Sequence, residues 1–241
     1  MRKTTLYTFA AWLVVSLAAV IWTAPQAAAA ASNSNEQERR IEEAVRVFQE
    51  IAELTDEGIP ESILREAHGI AIIPGVVKAA YGIGGEYGRG VLLVGDKGAW
   101  SNPSFVILAG GSLGWQIGIQ KSDLVLVFRT RQSIDNIAEG KITLGADAGV
   151  AAGPVGRGAQ ATTDLEMKAE IYAYSKAKGL FVGISLKGAA IQIDGQSNKD
   201  YYDRPDISAR EIFANSELRA PHSAAKLRQV LSRYLPREVS F

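Results

Sequence analysis

The stretch Gly110 to Gly114 matches the G-x-S-x-G motif of serine hydrolases, with Ser112 at the nucleophile position. Asp194 and His222 follow in the chain order of the acid and base of α/β-hydrolases. The motif functions where the serine lies on a strained turn between a strand and a helix. Here small or polar residues alternate with apolar ones through Gln120, which predicts a continuous strand. We therefore expect Ser112 to be a strand residue rather than a nucleophile.

Other catalytic motifs are incomplete in this sequence. The stretch Gly82 to Gly88 lacks the G-x-G-x-x-G spacing of a dinucleotide-binding turn, and Gly140-Lys141 lacks the upstream glycine of a phosphate-binding loop. The chain has no cysteine, and neither His68 nor His222 has a partner at metal-ligand spacing. We predict a protein that is not an enzyme and uses no metal, nucleotide or other cofactor.

Charge and composition limit the remaining classes. The 241 residues include 26 Lys and Arg against 26 Asp and Glu, so the formal net charge is zero. Nucleic-acid binding depends on an excess of basic residues, and this chain has none. A chain with 47% hydrophobic and 22% charged residues has the composition of a folded domain rather than a disordered one.

Residues 1–31 have the order of a secretory signal. Arg2 and Lys3 precede an apolar run from Leu6 to Trp22, and Ala27 to Ala31 provide small residues for cleavage. This order predicts export, to a periplasm or out of the cell, with cleavage near Ala29 to Ala31. The apolar run is longer than in most signals, so an uncleaved N-terminal membrane anchor is the alternative.

The elements that must position a site fall into three zones of a single domain over residues 36–241. Residues 36–67 predict helices, because Ile41, Val45 and Phe48 recur at helical spacing. Residues 69–195 hold 23 of the 24 glycines and predict strands, with hairpin turns at Asp96 to Gly98 and Lys176 to Gly179. Residues 196–241 contain no glycine and predict helices over Ile207 to Phe213 and Ser223 to Tyr234.

A glycine-rich strand face has to have a physical reason. Glycine weakens a strand unless another backbone approaches closely, the strand coils sharply or a ligand contacts it. We predict an α+β fold, in which a coiled, glycine-rich antiparallel β-sheet or partial barrel has flanking N- and C-terminal helices and a helix lies against the small-residue face. Strands are expected over Leu124 to Arg131 and Ile142 to Val150, and a short helix over Ser133 to Glu139 with Ser133 as its cap.

Several short segments occur in an order that resembles a known family. They are Ala67 to Pro74, Gly98 to Ser104, Gly114 to Gly118, Asp123 to Val125, Gly153 to Arg157, Tyr174 to Phe181, and Asn198 with Tyr201 and Tyr202. Over about residues 40–235 the chain resembles the SYLF domain, also called the yeast actin-binding protein C-terminal domain family. The resemblance implies a non-enzymatic lipid-binding module. Its eukaryotic relatives bind phosphoinositide membranes, its yeast relatives also bind actin filaments, and its exported bacterial relatives are described as lipid-binding.

This sequence departs from the membrane-binding relatives in its first helix. Residues 36–57 contain eight acidic residues against Arg39, Arg40 and Arg46, whereas basic and apolar residues near the domain start engage the bilayer in those relatives. An anionic surface repels such an acidic face. We therefore expect this helix to pack on the sheet, with a membrane anchor as the alternative.

Positive charge for an anionic lipid must then come from other residues. We predict phosphate contacts from Arg157, which follows Gly156 in a loop, and from Lys176 and Lys178 in one turn, with apolar contact from Phe181 or Trp100. Arg129 and Arg131 are further candidates, on one predicted strand face. Each of these cations can also be interpreted as a solvated residue or a member of a surface ion pair. Trp100 can also be interpreted as a core residue.

The predicted partner is therefore a phospholipid or membrane surface, with no nucleic acid or nucleotide. The alternative function is a protein-interaction scaffold, the counterpart of actin binding in the yeast relatives.

Overall fold

A computed structural model of the chain describes residues 35–52, 58–96, 99–154, 169–178, 180–181, 185–215 and 218–234. The predicted signal segment, residues 53–57 and Arg157 lie outside the described residues. The elements in chain order are helix α1 over 35–52, helix α2 (Glu61–Arg65), strands β1 (Gly69–Asp96), β2 (Ala99–Trp100) and β3 (Ser104–Phe128), helix α3 (Arg131–Glu139), strands β4 (Lys141–Thr143), β5 (Val150–Ala152), β6 (Ile171–Ala177), β7 (Leu180–Phe181) and β8 (Ala190–Ile193), and helices α4 (Gly195–Tyr202), α5 (Ala209–Ala214) and α6 (His222–Tyr234).

Strands β1 and β3 form a long antiparallel ribbon on which the rest of the sheet is built. Gly69 lies opposite Phe128 at one end, and Leu92 lies opposite Ser104 at the other. Strand β8 adds to the first part of β3 and strand β6 to its last part, both antiparallel. Strand β5 pairs with β6 in parallel, so the sheet is mixed. The expected α+β class, a curled sheet with helices at both ends, is confirmed.

The ribbon curls until two parts of β1 meet. The backbone N–H of Gly95 donates a hydrogen bond to the carbonyl of His68, with 2.9 Å between nitrogen and oxygen. A Cβ atom on Gly90 would lie 2.2 Å from the carbonyl oxygen of Ile72. No side chain fits this gap, so glycine at position 90 is what allows one segment of β1 to cross another.

The expectation that a helix lies against the small-residue face of the sheet is corrected by the atoms that lie closest to the glycines. At Gly90 and Gly110 the neighbour is backbone, of Ile72 and Ala189, and not the helix that we expected there. A helix fills this role at Gly69, where a Cβ atom would lie 2.7 Å from Ile134 of α3. Close approach of backbone, rather than helix packing, is therefore the reason for glycine at positions 90 and 110, whereas helix packing accounts for Gly69.

Curling buries both faces of the sheet. Ile70 and Ile72 point into a core that is covered by helices α1, α2, α4, α5 and α6, whereas Ala71 and Ile73 point into a second core inside the curl, together with α3. Successive residues of Leu124 to Phe128 divide between the two cores in the same way. This explains why these stretches are continuously apolar, whereas a sheet with one solvated face would alternate.

Helix α1 has its apolar side in the helix-covered core. Ile41, Ala44, Phe48 and Ile51 have no exposed surface. Burying four such side chains against the sheet removes enough apolar area from water to hold the helix in place. The prediction that this helix packs on the sheet is confirmed for its described part.

Two strand predictions were wrong in detail. The strand expected to reach Arg131 ends at Phe128, and helix α3 begins at Arg131. Ser133 was expected to cap this helix but lies inside it, where its hydroxyl donates a hydrogen bond to Glu170 at 2.9 Å. The strand expected over Ile142 to Val150 is broken by a turn at Gly145, which has a φ of +81°. A carboxylate stabilises that turn, because Asp147 accepts a hydrogen bond from the N–H of Thr143 at 2.7 Å.

Helix α4 was missed in the sequence, although its start carries a clear signal. The Asp194 carboxylate accepts a hydrogen bond from the N–H of Ser197 at 3.1 Å, as an N-cap residue does. Within α4, the side chain of Asn198 accepts from the N–H of Phe105 at 2.8 Å, and the hydroxyl of Tyr202 donates to the carbonyl of Pro103 at 2.6 Å. Two of the segments that carry the family resemblance therefore hold each other in place within the fold.

We expect Gly90→Ala to lower the free energy of unfolding by about 1–3 kcal/mol or more, because the new methyl group would overlap the backbone of Ile72. Urea denaturation measures the change. Gly111→Ala is the matched control, because a Cβ atom there would meet nothing within 4 Å, and it should leave stability nearly unchanged. Equal stability of the two variants would contradict the crossing of β1 at Gly90.

Candidate functional site

The hydrolase motif lies in the middle of a strand. Ser112 pairs with Gly84 inside the continuous strand β3, so the turn and helix of a nucleophile elbow do not follow it. Asp194 caps α4 and forms an ion pair with Arg89 at 2.9 Å, and His222 begins α6. Within the described ranges, no three His, Asp or Glu residues are grouped as a metal ion would need.

The main candidate site is an open groove of about 810 Å³ beside helix α1. Its walls come from α1, from both strands of the ribbon and from the hairpin of β6 and β7. Seven basic side chains line it against three carboxylates, and we call it the basic groove. The basic residues are Arg39, Arg40, Arg46, Arg89, Lys121, Lys176 and Lys178, and the acidic ones are Glu36, Glu43 and Asp123.

Two of the arginines fasten the helix to the sheet. Arg89 bonds Glu36 of α1 and Asp194 of the α4 cap, both at 2.9 Å. Arg40 bonds Glu36 at 2.8 Å and lies 3.5 Å from Asp194. Burial alone would raise the pKa of Asp194, but hydrogen bonds from Ser197 and Arg89 outweigh burial and lower it below its usual value. This network is structural, because its charges neutralise one another.

A second set of ion pairs joins α1 to strand β6. Lys176 lies 3.2 Å from a carboxylate oxygen of Glu50, which also accepts a hydrogen bond from Arg46 at 2.6 Å. These two cations lower the pKa of Glu50, with the Arg46 hydrogen bond as the larger cause. Arg46 also lies 4.0 Å from Asp123. Lys176 and Arg46 are therefore paired with Glu50 and Asp123, two cations with two carboxylates.

Two lysines of the groove have their charge available. In the described part of the chain, no carboxylate lies within ion-pair distance of Lys121 or Lys178, and both side chains are exposed. Lys178 occupies the β6–β7 turn with a φ of +50°, and Lys121 lies on β3 over Gly75, where a Cβ atom would be 2.6 Å from its Cε. An anion entering the groove meets these two cations without displacing a carboxylate.

A kink in β1 shapes the groove at this point. The pairing register between β1 and β3 shifts between Ile73 and Val76, and Gly75 there has a φ of +59°. The N–H of Gly75 donates to the carboxylate of Asp123 at 2.8 Å. This hydrogen bond fixes the Asp123 carboxylate beside the kink.

The structure brings together part of the predicted site. Lys176 and Lys178 line the groove, and Phe181 lies opposite Lys176 in the β6–β7 pairing, half-buried against the helix-covered core. Trp100 is 4% exposed and belongs to that core, as its second interpretation had it. Arg157 lies outside the described residues.

The other two predicted cations lie away from the groove. Arg129 and Arg131 do not share a strand face, because β3 ends at Phe128 and Arg131 opens α3. Arg129 pairs with Glu66 at 2.9 Å and lies over the ring of Tyr172, with its Cζ 5.5 Å from the ring centroid. Both arginines match the surface ion-pair interpretation, since Arg131 lies 3.6 Å from an aspartate one turn ahead in its helix.

Sequence reasoning missed the contribution of α1 to the groove. It counted the helix as acidic, yet Arg39, Arg40 and Arg46 all line the groove. Their spacing places them near one side of a helix, but nothing local shows that this side faces Lys121. No described helix has both the length and the apolar character needed to cross a membrane.

The fold and groove define a class of protein: an α+β domain with a curled sheet, helices over one face and a basic groove beside its first helix. Residues 109–234, slightly more than half of the chain, match the family model named Ysc84 and described as a Las17-binding protein actin regulator. The chain belongs to the Ysc84 (SYLF) domain family.

Two relatives illustrate the match. LAS seventeen-binding protein 3 of Saccharomyces cerevisiae is 36% identical over 180 residues, which are 73% of this chain and 39% of that protein. SH3 domain-containing YSC84-like protein 1 of Xenopus laevis is 32% identical over 207 residues, 84% of this chain and 61% of that protein. The chain thus spans about two fifths to three fifths of their length. The family description names a regulator, not an enzyme, which agrees with the expectation from the motifs.

One buried carboxylate on β1 carries a charge that is compensated only in part. The side chain of Glu86 is 5% exposed, its Oε2 has no hydrogen-bond partner among the described residues, and Lys78 is 3.9 Å away. Burial raises the pKa of Glu86, and Lys78 opposes this only in part. A carboxyl group whose pKa is higher in the folded state than in the unfolded state destabilises the fold when it is ionised.

Glu86→Gln should therefore raise the free energy of unfolding at pH 7 by about 1 kcal/mol, because it removes a buried charge. The gain should shrink as the pH falls through the raised pKa and vanish below the ordinary glutamate pKa, where the wild-type side chain is protonated in both states. Thermal unfolding of both proteins between acidic and neutral pH measures this. The control Glu38→Gln, on the exposed side of α1, should show no pH-dependent gain in stability. If the wild-type protein is as stable as Glu86→Gln at pH 7, the buried charge of Glu86 does not destabilise the fold.

Proposed function

We propose that this protein binds the headgroups of anionic phospholipids in the basic groove and catalyses no reaction. The observation that carries the proposal is the pair Lys121 and Lys178, which line the groove and lack carboxylate partners among the described residues, whereas the other five groove cations lie within ion-pair distance of a carboxylate. Flexible, exposed lysines suit the phosphate of a headgroup, which they contact as mobile point charges. Arg157, outside the described residues, stays a predicted further phosphate contact.

The groove fits a headgroup better than a deep ligand pocket would. It is open to solvent along α1 and the ribbon, so a headgroup can enter while the lipid remains in its bilayer. Lys176 and Arg46 lie at its edge and are paired with Glu50 and Asp123, so the charge available to a headgroup is mainly that of Lys121 and Lys178. The overall formal charge of zero means that attraction to an anionic surface depends on this local concentration of cations.

The proposed test compares vesicle binding of the protein with that of the variant Lys121→Gln/Lys178→Gln. Each basic residue near an anionic surface contributes about 1 kcal/mol, so losing two should weaken binding to phosphatidylglycerol-containing vesicles about thirtyfold. Co-sedimentation at low and high salt measures it, and salt should weaken wild-type binding more than variant binding.

The matched control is Lys199→Gln/Lys226→Gln, which removes the same net charge from exposed positions that do not line the groove. It should bind like the wild type. Equal loss in both double variants would mean that net charge, rather than the groove, attracts the vesicles. Wild-type protein that binds neither anionic nor phosphatidylcholine vesicles would refute the lipid proposal.

Export is the second part of the proposal, and the order of basic, apolar and small residues in the first thirty-one positions supports it. Protein isolated from its own cells should begin at or just after Ala29 to Ala31, and intact mass with N-terminal sequencing measures this. It should be recovered from the periplasmic or external fraction. A full-length mass in the membrane fraction would favour the uncleaved anchor instead.

The second candidate function is binding to a protein partner. The observation in its favour is the family description, which names Las17 binding and actin regulation. Co-sedimentation with purified actin filaments in the absence of lipid tests the most direct form of it. Filament binding that survives Lys121→Gln/Lys178→Gln, together with no vesicle binding, would replace the lipid proposal by this one.

A further inference from the structure

We propose that the bent part of the β1–β3 ribbon inserts apolar side chains into the acyl layer of the bilayer while the basic groove holds headgroups. The inference rests on the proposed lipid binding and adds the depth and orientation of the bound protein. It concerns Val77, Tyr87, Ile119 and Leu180, which we call the apolar rim.

The apolar rim consists of the large hydrophobic side chains that stay exposed in the described part of the chain. Ile119 is 82% exposed, Leu180 67%, Tyr87 51% and Val77 41%. Val77, Tyr87 and Ile119 line the basic groove, and Leu180 lies two residues after Lys178. Exposed hydrophobic residues are common singly, but their concentration around one charged groove indicates an interaction surface.

The strand register places rim residues and cations on the same side of the ribbon. Val77 lies directly opposite Lys121, and directly paired residues share a face of the sheet. Ile119 is two residues from Lys121 in the same strand, so it points to that face as well. Apolar and basic side chains are therefore neighbours there, in the arrangement that lets a cation reach the headgroups above inserted apolar groups.

The β6–β7 hairpin repeats this combination. Lys178 in its turn and Leu180 in β7 are two residues apart, as Lys121 and Ile119 are in β3. Two separate hairpins thus each offer an exposed lysine with an exposed aliphatic residue beside it. An anionic bilayer has negatively charged headgroups at its surface and an apolar acyl layer beneath them. It therefore complements the pair Lys121 and Ile119 and the pair Lys178 and Leu180 at the same time.

The topology explains why the protein does not cover the rim itself. Strand β8 pairs with β3 over Val106 to Ala109, and β6 pairs with it over Asp123 to Phe128. Between these stretches, residues 110–122 of β3 pair with β1 alone among the described strands. The ribbon extends past the other described strands at this point, and this is the part that we infer to enter the bilayer.

The chain contains no cysteine, so a nitroxide can be attached at one chosen residue. The probe positions are Ile119→Cys in the rim and Gln132→Cys as control, an exposed residue in the first turn of α3 beyond the far end of β3. Each labelled protein, with its natural N-terminus, is bound to vesicles of phosphatidylcholine and phosphatidylglycerol. Electron paramagnetic resonance then compares the access of oxygen and of a water-soluble nickel complex to the label.

We expect the label at position 119 to gain oxygen access and lose nickel access on vesicles, and the label at 132 to remain aqueous. Bound protein with an aqueous label at 119 would overturn the inference and leave the headgroup proposal standing. Protein that does not sediment with vesicles would overturn both. Spin–spin broadening at 119 in lipid-free protein would assign the rim to a second copy of this chain instead.

An unlabelled variant gives an independent readout. Ile119→Ser should lower binding at high salt, where charge is screened, by about tenfold, because it removes one inserted aliphatic side chain. Its salt-sensitive binding should persist, since Lys121 and Lys178 are intact. Gln132→Ser is the matched control, and equal binding of the two variants at high salt would overturn insertion.

Discussion

The crossing of strand β1 over itself is the constraint on which the rest of the structure depends. Gly90 passes so close to Ile72 that no side chain fits between them. This contact allows a 28-residue strand to curl and to bury both of its faces near its two ends, over Ile70 to Ile73 and Val91 to Val94. The curl encloses the core to which Ala71 belongs, while Ile70 faces the core under the helices.

Helix α1 depends on that curl and completes the groove. Its apolar side fills the core over the sheet, and the network of Glu36, Arg40, Arg89 and Asp194 fixes its position against β1 and α4. Such a network is rigid because every charge in it has an opposite partner. The network thus holds α1 where its arginines line the groove, whereas Lys121 and Lys178 are exposed and have no carboxylate partner among the described residues.

Some of the contacts that hold the fold together lie away from the groove. The segments that carry the family resemblance include Asn198 and Tyr202, which hold the strand start at Pro103 to Phe105. Those contacts keep the fold together and lie among buried residues. The groove and the apolar rim are formed by residues of α1, the ribbon and the β6–β7 hairpin, and the family segment Tyr174 to Phe181 reaches the groove through Lys176 and Lys178.

The sequence by itself determined the features that depend on local periodicity. The helical spacing of Ile41, Val45 and Phe48 identified α1, and the turn at Lys176 to Gly179 identified the β6–β7 hairpin. It also identified the α+β class and the family, because the short segments that resemble the family can be read in order directly from the sequence. The G-x-S-x-G motif was correctly assigned to a strand, since alternation continued past Ser112.

Only the tertiary structure decided where the charges meet. Arg39 and Lys178 are far apart in the chain and line one groove, because curling the sheet brings α1, β3 and the β6–β7 turn together. The same curl put Trp100 in the core and separated Arg129 from the lysines with which it had been grouped. Periodicity reports which face a residue occupies on its own element, and it contains no information on which other element that face meets.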